Sequence, residues 1–217
     1  MAQGIDSPVD CTTYAHQIAG KYSFIGRYYR MPPPHSKWPS LTKAEAQILS
    51  TAGLSIVSLW EFISGSNGCV SSLNYDAGHD EGQQAYTQAL AIPQPASTPI
   101  YFAVDEGYDP QIPSDATPID DYFRGVNDVF ASLAGAGNPP KYKVGVYGPG
   151  AVCQWLKTNG RVQYTWLANA PKWPGASYAG WNIKQGFQDP TLALNHDVDS
   201  SNPGDVGFWQ MPAAAGV

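Results

Sequence analysis

Short apolar runs recur along the chain, each ending in a polar or acidic residue and most followed by a stretch of helical spacing. Gln3-Gly4-Ile5-Asp6-Ser7 is the first, closed by Pro8. Ser23 to Arg30 is the second, broken by Pro32-Pro33-Pro34, and Leu54 to Phe62 the third. The fourth, Ser97 to Asp109, has Ile100 to Val104 bounded by Pro99 and then Asp105, Glu106 and Gly107. Short runs of this kind between turn signals read as buried strands. Lys143 to Gly148, Gln163 to Ala168 and Trp181 to Gln185 continue the series, and His196 to Asp199 ends it weakly.

Between these runs lie helical patterns. Cys11 to Lys21 has helical spacing, with Thr12 or Thr13 available as its cap. Leu41 opens a helix in which Thr42 stands three residues before Glu45, the spacing of a capping box, and Gly53 marks its end. Asp76 to Leu90 reads as helix, with Ala77, Ala85 and Ala89 as small packing residues. Ile119 to Leu133 reads as another, with Pro118 at its first position. Gly150 to Asn159 is a short one. Strands that alternate with helices are parallel, because a parallel pair needs a crossover. About eight of them predict a closed (β/α)8 TIM-like barrel, with the last helices short or missing. A doubly wound sheet is the alternative, but no glycine-rich phosphate fingerprint follows the first strand.

Composition narrows the class. The 217 residues predict one domain, residues 1–217, and 43% apolar content with 14% charged residues excludes a disordered chain. A net charge of −6 without basic runs argues against a nucleic-acid partner. No apolar stretch reaches the roughly 20 residues a membrane span needs. The start, MAQGIDSPVD, lacks a signal peptide's charged and apolar regions. Cys11, Cys69 and Cys153 show no CxxC spacing, so one disulfide with a free thiol and three buried thiols both remain open. His16, His35, His79 and His196 show no metal spacing, and only His196, beside Asp197, falls near the expected mouth. No metal or cofactor is expected. The absence of a GxSxG elbow disfavours acyl transfer.

In such a barrel, strand carboxyl ends build the active site. Those ends carry Asp6, Arg27 with Tyr29, Glu61 beside Trp60, Asp105 with Glu106, Tyr147, Trp166, Gln185 and Asp199, the last close to Asp197. Acids gathered on one side among aromatics fit glycoside hydrolysis, in which one carboxylic acid protonates the leaving oxygen and a second assists. Asp105, Glu61, Asp6 and Asp199 are the candidate catalytic acids. Glu106, Arg27, Tyr29, Trp60, Tyr147, Trp166, Gln185 and Asp197 are candidates for holding substrate. Strand parity lets only one of Asp105 and Glu106 follow the inward register, and Tyr101 and Ala103 inward would choose Asp105.

GIDSP, IGRYYR, LTKAEAQILSTAGLSIVSLWE, IYFAVDEG, VGVYG, YTWLA and VDSSNPG, in this order, resemble a bacterial glycoside-hydrolase-like barrel family of uncharacterised function. That family is similar to the family 25 glycoside hydrolases, the muramidases that cut peptidoglycan, and the resemblance runs from residue 4 to about 209. It implies a muramidase-like enzyme acting on a cell-wall polysaccharide, monomeric and exported or secreted. Asp6 matches the family 25 Asp of the first strand, and Asp199 or Asp197 the Asp near the last. Family 25 enzymes carry Asp-x-Glu on the fourth strand, with the Glu as proton donor. Here Asp105 stands where the donor stands and Ala103 where the first Asp stands. Glu61 or Glu106 could replace the lost acid. The departure keeps open a barrel that binds glycan without cutting it, or another hydrolase or lyase built on the same acids.

Overall fold

The computed structural model describes residues 1–31, 38–61, 73–135 and 141–212. Its strands close into one barrel in sequence order: β1 (Gln3–Ser7), β2 (Phe24–Tyr29), β3 (Ser55–Trp60), β4 (Pro99–Ala103), β5 (Lys143–Gly148), β6 (Tyr164–Leu167), β7 (Ile183–Gln185) and β8 (Asp197–Ser201). All neighbours from β1 to β7 run parallel. β8 is antiparallel to both β7 and β1, because the connection before it is a return loop and not a helical crossover. The amino end of β8 therefore meets the carboxyl ends of the others. Asp197, not Asp199, lies level with Asp6 across the β1–β8 pair.

The helices are α1 (Ala15–Ala19) after a 3-10 turn at Thr12–Tyr14, α2 (Lys43–Thr51), α3 (Tyr75–Ala91), α4 (Pro113–Gly135) and α5 (Gly150–Thr158). Among the described residues no helix separates β6, β7 and β8. Thr42 caps α2 by accepting the Glu45 N–H at 3.1 Å. The Glu45 carboxylate does not complete a capping box, because it is taken by Arg27 and by the Cys11 N–H. Neither Thr12 nor Thr13 caps the first helical segment; Asp10 Oδ1 accepts the Thr12 N–H instead. Pro118 does not begin α4. The helix starts at Pro113, and Pro118 lies within its first turns. The small residues at the α3–α4 contact include glycines as well as Ala85 and Ala89: a Cβ on Gly78 would fall 2.0 Å from the Tyr122 carbonyl oxygen.

Two apolar layers hold the barrel. The outer one lies between strands and helices and includes Ile5, Ile25, Tyr29, Trp60, Phe102, Phe123 and Val146. The inner one fills the barrel with Phe24, Tyr28, Val57, Leu59, Tyr101, Ala103, Tyr164, Trp166, Ile183 and Val206. Large rings fit because facing positions are glycines. A Cβ on Gly26 would sit 2.6 Å from the Trp166 ring, and one on Gly145 2.7 Å from the Tyr101 ring. The tail closes the amino-terminal end. Tyr101 Oη donates to the Val206 carbonyl at 3.0 Å, Phe208 packs on Phe24 at 4.6 Å between centroids, and Trp209 bridges to Ile56. With that end plugged, the opposite end is left for chemistry.

Cys11 and Cys153 are buried free thiols, and burial pushes them up to about 11 and about 12. Cys69, His35 and Phe62 lie outside the described residues. No described helix is long and apolar enough to cross a membrane.

Candidate active site

Alternation along each strand decides which side chains reach the mouth. On β1 the inward residue is Asp6, buried to 3% exposure. On β2 the inward row is Gly26 and Tyr28, continued by Arg30, whose guanidinium lies 4.3 Å over the Tyr28 ring. Beyond β3 the row Val57 and Leu59 ends in Glu61. On β4 Tyr101 and Ala103 face inward, as parity requires for Asp105 to follow them. Tyr147, Gln185 and Asp197 complete the ring, with Trp166 and Asp199 beneath them.

Hydrogen bonds tie these groups into one cluster. Asp6 Oδ1 accepts from Tyr28 Oη at 2.6 Å, and Asp6 Oδ2 from Gln185 Nε2 at 3.1 Å. Gln185 Nε2 also lies 3.4 Å from Asp197 Oδ2, while its Oε1 accepts from Tyr147 Oη at 3.0 Å and from the Asn169 N–H at 3.2 Å. Gln185 therefore spends its donors and acceptor on the protein and acts as an organiser. Asn169 fixes it further by donating its side-chain amide to the Gly186 carbonyl. Arg30 Nη2 pairs with Glu61 Oε2 at 2.9 Å, and the side chains are 1% and 13% exposed.

Burial controls the protonation of the acids. It pushes Glu61 up to about 7; Arg30 opposes the rise, and the charges of Asp105 and Asp6 add to it. Burial also raises Asp6 to about 6, against hydrogen bonds from Tyr28 and Gln185, with Asp197 adding to the rise. Asp105 rises through burial and through the charge of Glu106. Asp197 rises through burial. The Tyr147 hydroxyl is held well above its ordinary value by burial and then by Asp105, Asp6, Glu61 and Asp199, so it stands among four carboxyls.

Several expected residues lie elsewhere. Arg27 points outward from β2 into a fully buried ion pair with Glu45 of α2, with Nε–Oε1 at 2.6 Å. Tyr29 also points outward and donates to Gln94 Oε1 at 2.7 Å. Trp60 donates its indole N–H to Glu81 at 2.7 Å behind the barrel wall. The physical reason is common to all three: the inward register of β2 and β3 begins one residue away from the one chosen, and a slip of one residue exchanges the faces. Trp166 does point inward, but it is fully buried beneath the mouth with its indole donating to Asp199 Oδ1 at 3.0 Å, so it offers no face to a sugar. Asp199 is likewise buried under Asp6 and not at a strand's open end. His196 serves the loop before β8: Nδ1 bonds the Leu194 carbonyl at 2.8 Å and Nε2 accepts the Asp189 N–H at 3.2 Å. Glu106 follows Asp105 with its carbonyl accepting the Tyr108 N–H.

Sequence reasoning missed Tyr28, Arg30 and Asn169. For the first two a signal existed, since Gly26, Tyr28 and Arg30 alternate through a strand whose odd member has no side chain and suits a crowded interior. Asn169 carries no comparable mark. Among the described residues no group of three or more His, Cys, Asp or Glu is arranged to hold a metal ion. A cavity of 620 Å³ is lined by Arg30, Leu41, Gln84, Gln88 and Ile92, and none of the candidate acids lines it.

A plugged barrel with acids at its open end matches a described family over residues 16–205, the Rv2525c-like, glycoside hydrolase-like domain. The chain belongs to this family. As a member of the Rv2525c-like family it shares its fold with the Tat-secreted protein Rv2525c of Mycobacterium tuberculosis, solved in complex with L-tartrate. The two are 21% identical and align over 96% of this chain and 98% of that one, with a TM-score of 0.75. The spore cortex lytic enzyme SleM of Clostridium perfringens aligns over 93% of this chain and 67% of its own at 13% identity and a TM-score of 0.54. A muramidase from Trichobolus zukalii aligns over 94% and 95% at 12% identity and a TM-score of 0.50. YbfG of Bacillus subtilis is 30% identical over 127 residues, which is 58% of this chain but only 16% of YbfG. The likeness to muramidases and cell-wall lytic enzymes establishes a shared architecture.

Proposed function

We propose that this Rv2525c-like barrel hydrolyses glycosidic bonds in a bacterial cell-wall glycan, peptidoglycan foremost, as a monomer exported to the wall. The observation that carries this reading is the gathering of Glu61, Asp105 and Asp6 at the open end of the barrel, with Glu61 oriented by Arg30 at 2.9 Å; burial there pushes Glu61 up to about 7 and raises Asp105. General acid catalysis at neutral pH needs one carboxyl that keeps its proton and a partner that gives it up. Glu61 is the more deeply buried of the two and holds the proton. Asp105 is the more open and serves as the ionised partner. The resemblance to family 25 points instead to Asp105 as donor. Arg30 orients Glu61, while Tyr28 and Gln185 fix Asp6 next to them.

Register supports the pairing. Trp60 on β3 lies opposite Phe102 on β4, so one step further Glu61 stands level with Ala103. The acid that family 25 places on the fourth strand is here supplied by the neighbouring strand at the same height. The test is release of reducing ends from purified cell walls by the wild type, with Glu61→Gln and Asp105→Asn compared across pH. Loss in both variants, with turnover of an activated aryl glycoside surviving in Glu61→Gln alone, is the expected result. Survival in Asp105→Asn alone would move the donor to Asp105.

The second reading is a barrel that binds wall glycan without cutting it, and Ala103 is the observation that favours it. Retention on insoluble walls with no reducing ends released, at any pH from 4 to 8, would establish that reading and end the first.

A further inference from the structure

Asp6 and Asp199 form a buried carboxyl pair whose members have very different surroundings. Asp6 accepts two hydrogen bonds from fixed donors, Tyr28 Oη and Gln185 Nε2. Asp199 is fully buried and accepts one, from Trp166 Nε1, while its Oδ2 has no donor among the described residues. Across the β1–β8 pair Asp199 lies opposite Gly4, two residues before Asp6, so the two carboxyls are diagonal neighbours on the inward face. Among the described residues no Lys, Arg or His side chain hydrogen-bonds to either carboxyl; Arg30 bonds Glu61 and Arg27 bonds Glu45. Two adjacent buried carboxylates without a counter-charge cannot both be ionised, so one keeps a proton.

The donors decide which. Hydrogen bonds to a charged carboxylate stabilise the charge, and Asp6 has two where Asp199 has one. A hydrogen on Asp199 Oδ2 also removes that atom's missing partner and supplies Asp6 with a third donor. We propose that Asp199 is a permanently protonated positioning residue that holds Asp6 as a carboxylate aimed at the mouth, and that it never touches substrate. The groups facing the pair are Tyr28 from β2, Glu61 beyond β3, Asp105 beyond β4, Tyr147 from β5, Trp166 from β6, Gln185 from β7 and Asp197 from β8. All the titratable ones are neutral or acidic, so none relieves the pair of its proton. The inference stands whether the barrel cuts glycan or only binds it.

The test is a carboxyl-carbon NMR titration of protein labelled at aspartate, from pH 4 to 8, with Asp6→Asn and Asp199→Asn for assignment. Asp199 should keep the shift of a protonated carboxyl up to pH 7, while Asp6 titrates below it. Asparagine at 199 reproduces the arrangement, its amide donating to Asp6 and its oxygen accepting from Trp166, so the Asp6 midpoint should move by less than about half a pH unit. Asp199→Ala removes the donor and should raise the Asp6 midpoint by about one pH unit. An Asp199 carboxyl ionised at pH 6 would overturn the proposal. So would a fall of the Asp6 midpoint in either variant, the result expected if Asp199 had been a negative charge. Should Asp199→Ala fail to fold, the wild-type titration and Asp199→Asn decide alone.

Discussion

Replacing Glu61 by glutamine should flatten the dependence of stability on pH, and the structure sets the size of the effect. Glu61 titrates near 4.5 in an ordinary setting and at about 7 in the folded protein, where burial disfavours its charge. The folded state therefore holds the proton more tightly than the unfolded state. The group contributes its full stability below pH 4.5, and that contribution is lost as pH rises towards 7. At about 1.4 kcal/mol per pH unit the whole loss is about 3 kcal/mol. Glutamine cannot titrate, so the variant should escape it. Arg30 complicates absolute stability, because Glu61→Gln deprives a buried guanidinium of its partner. The charged pairing exists only when Glu61 is ionised, so its pH dependence is already contained in the folded value of about 7 and adds no further slope. Urea unfolding of both proteins at intervals from pH 4 to 8 gives the measurement. Relative to wild type, the variant should gain about 3 kcal/mol between the two ends, whatever its offset at pH 4. The charges of Asp105 and Asp6 are among the causes of the rise at Glu61, so their effect is already contained in the value of about 7. Parallel curves would refute the assignment of a buried, proton-holding Glu61.

Glu45→Ala should destabilise the fold by about 3–5 kcal/mol in chemical denaturation, because it strands the fully buried Arg27 charge; adding Arg27→Met should recover most of that loss. Gly26→Ala brings a Cβ to 2.6 Å from the Trp166 ring and 2.9 Å from the Asp6 Cβ, so it should cost about 1–3 kcal/mol and lower glycan turnover or binding together with stability. Tyr147→Phe keeps the edge-to-face contact with Trp166 but removes one of the two donors to Gln185 Oε1, and should weaken glycan turnover or binding with about 1 kcal/mol of stability lost. Trp60→Phe, which loses its bond to Glu81 behind the wall, should lower the thermal midpoint and leave wall-glycan affinity unchanged.

The architecture was legible because its signal is redundant. Strand after strand shows a short apolar run between turn residues, and a missed boundary of one or two residues leaves the order of elements unchanged. β5 matches its sequence reading at both ends, and β1 does also. The direction of β8 was not legible, because a return loop and a crossover without a helix look alike in sequence. That one ambiguity sent the reading to Asp199 as a strand end, when Asp197 is the residue level with Asp6. Side-chain direction is more fragile still. On β4 alternation left two parities, of which the small Ala103 favoured the one that turns Asp105 inward, and Tyr101 and Ala103 do face the interior. On β2 both faces are buried, so Arg27 and Tyr29 had no polar alternation to mark them as outward. Arg27 also has a reason to be buried that only the fold reveals, since its partner Glu45 comes from α2.

Strand register also offers this barrel a way to keep chemistry without an acid at Ala103. Neighbouring parallel strands lie about 4.8 Å apart, so a carboxyl moved from β4 to the same level on β3 is displaced sideways by one strand and remains inside the mouth. Glutamate, with one methylene more than aspartate, partly spans that displacement, whereas the residue at 105 is the shorter aspartate. The two departures from the family 25 pattern are complementary: the longer acid has moved to the strand that must reach further, and the shorter one stays at the centre. An Arg30 on the adjoining strand end then matters, because burial raises Glu61 and the guanidinium opposes that rise. Arg30→Met should accordingly raise the Glu61 midpoint further and shift any activity profile towards alkaline pH. A profile unmoved by that change would separate Glu61 from the chemistry and leave Asp105 to act with Asp6.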